Sequence, residues 1–495
     1  MSHLIKNEYK LLYKLFKILI FIFVLTFIYL GFSNYIGSKF VYISFSIISN
    51  FLIVFALRKN AIFFETFLSL LLWLGFWFKF TCTITLTDGV FREGVGDFDY
   101  SPKSFDNSLI VSQIGILAFI LSGIFRENFL FNYPKKIELF DLKKKFLLLD
   151  RKKIWLSFIF LFLIIGVINF YFKIYQKGLL PIYDIHFIIS GAFKWLLLFG
   201  LSAISSILIF YEVNFFKKFF LSSSLIIFFE TFFTSLNLLS RGMIFNALAL
   251  FFGIYKFSKK VNKTNSISFY LKSFTFIFIL FYISVGSVNY IRANYFYKGK
   301  SIDFTIEKHQ NTIDKNIDKN QEIKKYSSLK QHNSEILYLI INRWVGIDGV
   351  MSVVSKKELL GKTFLLSSFQ ERAKPDSPTF YELTFGLEGI DTTNQQYANV
   401  KGNTLPGFIA FIFYSGSYYL LFSFIFIVCI VASYFEYISF KYSHKNLIFS
   451  ALIGQVIAFR LIHFGYLPHQ SYLLFGTIIL TMIMVYILSF ILIKK

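Results

Sequence analysis

The chain is poor in charge, cysteine and proline. Charged residues make up 16% of its 495 positions while 56% are apolar, and mean hydropathy is +0.60. Soluble domains carry about 25% charged residues, so this composition excludes a cytosolic enzyme and a disordered chain. Two cysteines, Cys82 and Cys429, cannot build a secreted disulfide scaffold, and Cys429 falls inside an apolar run, so no disulfide is expected. The seven histidines are scattered and show no metal-ligand spacing. A phosphate-binding glycine loop and a nucleophile elbow are also missing. No metal and no cofactor are expected.

Long apolar runs are what the sequence does have. A bilayer-spanning helix needs about 20 mostly apolar residues, and twelve runs qualify: 15–32, 40–57, 61–79, 108–125, 154–172, 195–213, 219–239, 243–257, 270–289, 404–435, 447–463 and 471–492. The first is too long for a signal-peptide core and lacks a small-residue cleavage site, so it is read as a retained anchor. The expected fold is all-α, a polytopic integral membrane protein with about 12 transmembrane helices.

Orientation follows from lysine and arginine in the short loops. Lys6, Lys10, Lys14, Arg58, Lys59, the dense stretch from Arg126 to Lys153, Lys217, Lys218, Lys256, Lys259, Lys260, Lys263, Lys441, Lys445, Lys494 and Lys495 all fall on one side if twelve helices alternate. The opposite short loops hold chiefly Lys39, Arg92, Lys103, Lys173 and Lys177. Both the N and C termini are therefore expected to be cytoplasmic. The net charge of +23 is explained by topology, and nucleic acid is rejected as a partner.

This alternation divides the chain into helices 1–9 (residues 1–289), one large extracytoplasmic loop (290–403) and helices 10–12 (404–495). In the loop, 298–333 is polar and repeats Ile313-Asp314-Lys315-Asn316 at once as Ile317-Asp318-Lys319-Asn320, so a mobile segment is expected there. Residues 335–350 set Ile336, Leu337, Leu339, Ile340, Trp344, Val345 and Ile347 on a broad apolar face, which predicts an amphipathic helix.

Charges at membrane depth cost about 2.5–3.5 kcal/mol on insertion scales and so point to a cavity or a partner. Arg460 lies late in the eleventh run with His463 three residues on, on the same helical face, and His469 follows in the next turn. Arg241 breaks the seventh and eighth runs in Ser240-Arg241-Gly242, Arg292 ends the ninth, and Arg343 belongs to the loop helix. These four arginines are expected at one level, on the side otherwise sparse in positive charge. A guanidinium fork grips phosphate oxygens bidentately, so such a cluster suits a lipid diphosphate, as substrate or as leaving group. Asp97-Phe98-Asp99 spells a D-x-D but is read as an ordinary acidic loop. Glu65 and Glu230, both in Phe-Phe-Glu-Thr-Phe, are expected to cap backbone or to pair with a buried cation.

With this topology, Ser240-Arg241-Gly242, Arg343-x-x-Gly346-x-Asp348-Gly349 and Asn403-Thr404-Leu405-Pro406-Gly407, the chain resembles the bacterial oligosaccharide repeat unit polymerases, the Wzy-type O-antigen and capsule polymerases. One pattern departs from that family. Some members show Arg, ten residues, then Gly, whereas Arg241, Arg292 and Arg343 are followed at that spacing by Phe252, Asp303 and Val354. The resemblance implies a glycosyltransferase-C-like membrane enzyme of the bacterial cytoplasmic membrane. It would join undecaprenyl-diphosphate-linked oligosaccharides at the outer face, alongside a chain-length regulator and a flippase of the same pathway. It implies Arg241, Arg292, Arg343 and Arg460 on the diphosphates and His463 or His469 orienting or deprotonating the acceptor, with Asp348 or Glu382 as alternative base. Trp344, Tyr295 and Tyr297 would stack on sugar, with Glu382 also at the substrate. An O-antigen ligase has similar topology and the same donor. A lipid-linked oligosaccharide flippase is the rival of another class, although no internal repeat of the kind common in transporters is visible.

Overall fold

The computed structural model describes residues 18–19, 21–87, 89, 91, 95–135, 137, 151–177, 186–215, 219–260, 267–296, 341, 343–370, 379–386, 405–465 and 472–492. The fold is all-α, with no strand among these residues. The main helices are α1 Phe21–Asn34, α2 Lys39–Leu57, α3 Phe63–Leu86, α4 Pro102–Leu130, α5 Arg151–Phe172, α6 Ile188–Asn214, α7 Phe219–Leu238, α8 Ile244–Lys260 and α9 Ile267–Phe296. After the long loop come α10 Ile347–Ser355, α11 Lys362–Gln370, α12 Gly407–Ile412, α13 Tyr418–Tyr442, α14 Leu447–Ile462 and α15 Tyr472–Leu492.

Eight of the described helices (α2 to α7, part of α9, and α13) are long and apolar enough to cross a membrane, and α1, α14 and α15 contain shorter apolar stretches. The chain is thus built as a multi-pass membrane protein. The run 243–257 forms α8, a helix with Lys259 and Lys260 in its last turn. The run 404–435 is not one helix. It divides into α12, a 3-10 turn over Phe413–Ser415, and α13, because Gly416 takes a left-handed conformation with φ of 67°. Ser417 then caps α13, its Oγ accepting from the Leu420 N–H at 3.4 Å. The amphipathic helix expected over 335–350 does not run unbroken to 350, although Ile341 within it is helical. Residues 335–340 and 342 lie outside the described residues, Arg343–Gly346 form a turn, and α10 begins at Ile347. Residues 298–333 likewise lie outside the described residues.

The core forms around α14, which is buried along nearly its whole length and packs chiefly against α3, α8 and α13. Such an all-round apolar helix has no solvent face to present. Two buried carboxylates of its neighbours are capped or paired. Glu436 of α13 accepts from the Phe63 and Phe64 N–H groups at 2.9 and 2.6 Å and from the Tyr133 hydroxyl at 2.6 Å, capping the start of α3. Glu65 accepts from Arg126 Nη2 at 2.7 Å, Arg58 Nη2 at 2.7 Å and the Ile62 N–H at 3.1 Å. The expectation of backbone capping and cation pairing therefore describes Glu65. Glu230 differs: it is held by hydroxyls, from Ser202 at 2.5 Å and Thr231 at 2.9 Å. Both cysteines are buried and free.

Candidate functional site

The three sequence patterns meet at the C-terminal end of α14. A Cβ placed on Gly346 would fall 2.3 Å from the Gly75 carbonyl oxygen, and one on Gly75 would fall 2.1 Å from the Val345 carbonyl oxygen. Only glycine allows two backbones to approach so closely. A Cβ on Gly349 would fall 2.3 Å from the Pro406 carbonyl oxygen, so the Arg343–Gly349 pattern lies directly against Pro406-Gly407. Gly407 in turn faces the Ile462 carbonyl at the end of α14. From Ser240-Arg241-Gly242, the next turn carries Phe245, whose ring lies 5.7 Å from Phe459 and 6.4 Å from Trp344, centroid to centroid.

Arg460 and His463 stand at this end. Arg460 Nη1 donates to the Leu474 carbonyl at 3.1 Å and to Thr477 Oγ1, and its guanidinium lies 5.9 Å from the Phe199 ring centroid. His463 stacks on Phe459 with centroids 4.0 Å apart, and its Nδ1 lies 2.8 Å from the Phe459 carbonyl oxygen. A carbonyl only accepts, so Nδ1 carries the proton and Nε2 keeps the lone pair.

The loop after α5 brings a further cation. Asn169 folds that loop back, its Oδ1 accepting from the Tyr175 N–H at 3.0 Å while its Nδ2 donates to the Asn237 carbonyl at 3.1 Å. The Lys177 N–H then donates to the Leu238 carbonyl at 2.9 Å, three residues before Arg241. Arg292 Nη2 donates to the Lys177 carbonyl at 3.1 Å. Burial pushes the Lys177 ammonium down to about 8, with further lowering from the positive charges of Arg292 and Lys194. Lys194 of α6 lies 5.2 Å from the Tyr175 ring centroid and within electrostatic reach of Arg460, as His463 is of Lys177. Lys177, Lys194, Arg292 and Arg460 thus form one cationic group, with Arg241 on the adjoining turn.

Between α7 and α9 an open groove of about 490 Å³ is lined by Leu236, Gly286, Ser287, Tyr290 and Ile291. It ends one residue short of Arg292 along α9.

The remaining expected residues are placed as follows. Arg343 is exposed on the turn beside Trp344. Asp348 is buried in an ion pair with Lys79. Glu382 opens a short π-helical turn, Glu382–Gly386, and Tyr295 lies in the last turn of α9, but their side chains lie outside the described residues, as do Tyr297 and His469 entirely. The D-x-D reads as an acidic loop in the structure too: Asp97 pairs with Lys356 at 3.0 Å, and Asp99 accepts from the Ser101 N–H at 3.0 Å. Among the described residues no three His, Cys, Asp or Glu side chains gather as metal ligands.

Lys194 and Lys79 were missed by sequence reasoning, and Lys177 was read only as a loop charge. The signal for the first two was present: each interrupts an apolar stretch, in Ala192-Phe193-Lys194-Trp195 and Trp77-Phe78-Lys79-Phe80.

No family model, curated protein or solved structure matches this chain.

Proposed function

We propose that this protein is a membrane glycosyltransferase that polymerises undecaprenyl-diphosphate-linked oligosaccharide repeat units into O-antigen or capsular polysaccharide. It works at the outer face of a bacterial cytoplasmic membrane, with twelve spans and both termini in the cytoplasm. The observation that supports this most is the cationic group of Lys177, Lys194, Arg292 and Arg460 gathered beside His463. Positive charges repel one another and lose hydration on burial, so an arrangement of this kind is best completed by a polyanion.

In the reaction, a sugar hydroxyl of the fresh repeat unit attacks the anomeric carbon of the growing chain. The bond from that carbon to the diphosphate oxygen breaks, and undecaprenyl diphosphate leaves. Arg460, Arg292, Arg241 and Lys177 hold the diphosphate and stabilise the charge that grows on it in the transition state. His463 takes the hydroxyl proton on Nε2, its Nδ1–H being fixed on the Phe459 carbonyl. Trp344 offers a ring edge-on to Phe245 beside the acceptor. The first isoprene units of the carrier lie in the groove between α7 and α9. A chain-length regulator and the flippase that delivers the repeat unit are the expected partners.

The test is reconstitution in vesicles with a lipid-linked repeat unit, reading product length on a gel. The wild type should give a ladder, and Arg460→Ala or Arg241→Ala only single units at equal protein level. Full-length ladders from both variants would remove the arginines from the mechanism. A wild type that moves its substrate across the bilayer without lengthening it would be a flippase.

A further inference from the structure

Lys79 sits inside α3 with its side chain fully buried, which in a membrane helix demands compensation. The compensation comes from the large loop: its ammonium pairs with Asp348 and donates to the Trp344 carbonyl at 3.1 Å. The stretch just before it, Trp73–Phe78, is π-helical. A π turn widens the helix and re-aims the side chains that follow. Here it accompanies Gly75 facing Val345-Gly346 and Lys79 facing Asp348. Glycine contact, ion pair and the bond to the Trp344 carbonyl together hold the C-terminal side of the turn that carries Arg343 and Trp344. Replacing a buried ion pair by apolar residues is often neutral or stabilising, so packing alone does not require charges here.

We propose that Lys79 is a positioning residue, which through Asp348 and the Trp344 carbonyl holds the Arg343–Gly346 turn, and with it Trp344, at the acceptor side of the site. This rests on the polymerase reading for its activity, while the clamp itself can be measured without any reaction.

The clamp is read by labelling. In a Cys82→Ala/Cys429→Ala background, Val350→Cys places a thiol at a fully buried position of α10. It should resist a membrane-impermeant maleimide, and adding Lys79→Met should expose it. The activity arm measures kcat and KM on a lipid-linked repeat unit. Lys79→Met should lower kcat/KM on the order of 100-fold, as a small misplacement of a binding group does, and Lys79→Arg should recover most of it. The double variant Lys79→Met/Asp348→Leu guards against misfolding: it should reach normal protein level yet stay slow. Unchanged labelling together with normal kcat/KM in Lys79→Met, or a double variant as fast as wild type, overturns the proposal. If labelling rises while even the wild type makes no polymer, the clamp stands and the polymerase reading falls.

Discussion

Arg292 donates a hydrogen bond from Nη2 to the backbone carbonyl of Lys177 at 3.1 Å. The contact sets two cationic residues side by side, the backbone carbonyl of one accepting from the guanidinium of the other. The positive charge of Arg292 adds to burial in weakening the Lys177 proton.

That weakening predicts a pH dependence. The folded-state pKa of Lys177 is depressed to about 8, so folding favours the neutral amine, and this lysine's cost to stability fades as pH rises from about 8 towards its unfolded value near 10.4. A bound diphosphate favours the ammonium, so the sign for binding is opposite. KM for the lipid-linked donor should rise between about pH 7 and about pH 9, and Lys177→Arg should flatten the profile. A flat wild-type profile would take Lys177 out of the anion site.

His463 is predicted to act on the chemical step. His463→Ala should lower kcat by about 100-fold or more with little change in KM, the usual size for loss of a general base. An increase in KM at constant kcat would mean that the imidazole only binds.

Filling the groove between α7 and α9 should discriminate by lipid tail. A Cβ on Gly286 meets nothing within 4 Å, so Gly286→Trp should fold normally while occupying the space beside Leu236 and Tyr290. We expect weaker use of a long-tailed donor and little effect on a short-prenyl analogue. Equal loss on both substrates would place the tail elsewhere.

At the other polar cluster, Glu65→Gln should damage stability rather than recognition. It removes the charge that pairs with the fully buried Arg126, and breaking a buried pair costs about 3–5 kcal/mol. The variant should unfold at lower temperature in detergent, with KM for donor unaltered in the protein that remains folded. A changed KM would connect this cluster to the site.

Much of the fold was legible because a bilayer imposes length and hydropathy on any helix that crosses it. Runs such as 40–57 and 219–239 correspond closely to Lys39–Leu57 and Phe219–Leu238. The run 404–435 misled because its high overall hydropathy hides the short Ser415-Gly416-Ser417 stretch, where the left-handed backbone of Gly416 divides it. Hydropathy does not register φ. Arg460 and His463 were legible as polar residues in apolar surroundings. Asp348 was legible as a motif member, but its ion pair with Lys79 was not, since the two lie far apart in the chain.

The sequence alone determined that this chain is helical, multi-pass and unusually cationic at its helix ends, because apolar length and charge are properties of single segments. Only the tertiary structure decided that Lys177 and Lys194 join Arg292 and Arg460, and that Gly346 rests on Gly75. Those relations depend on which helices become neighbours, and that is set by side-chain packing between segments far apart in the chain.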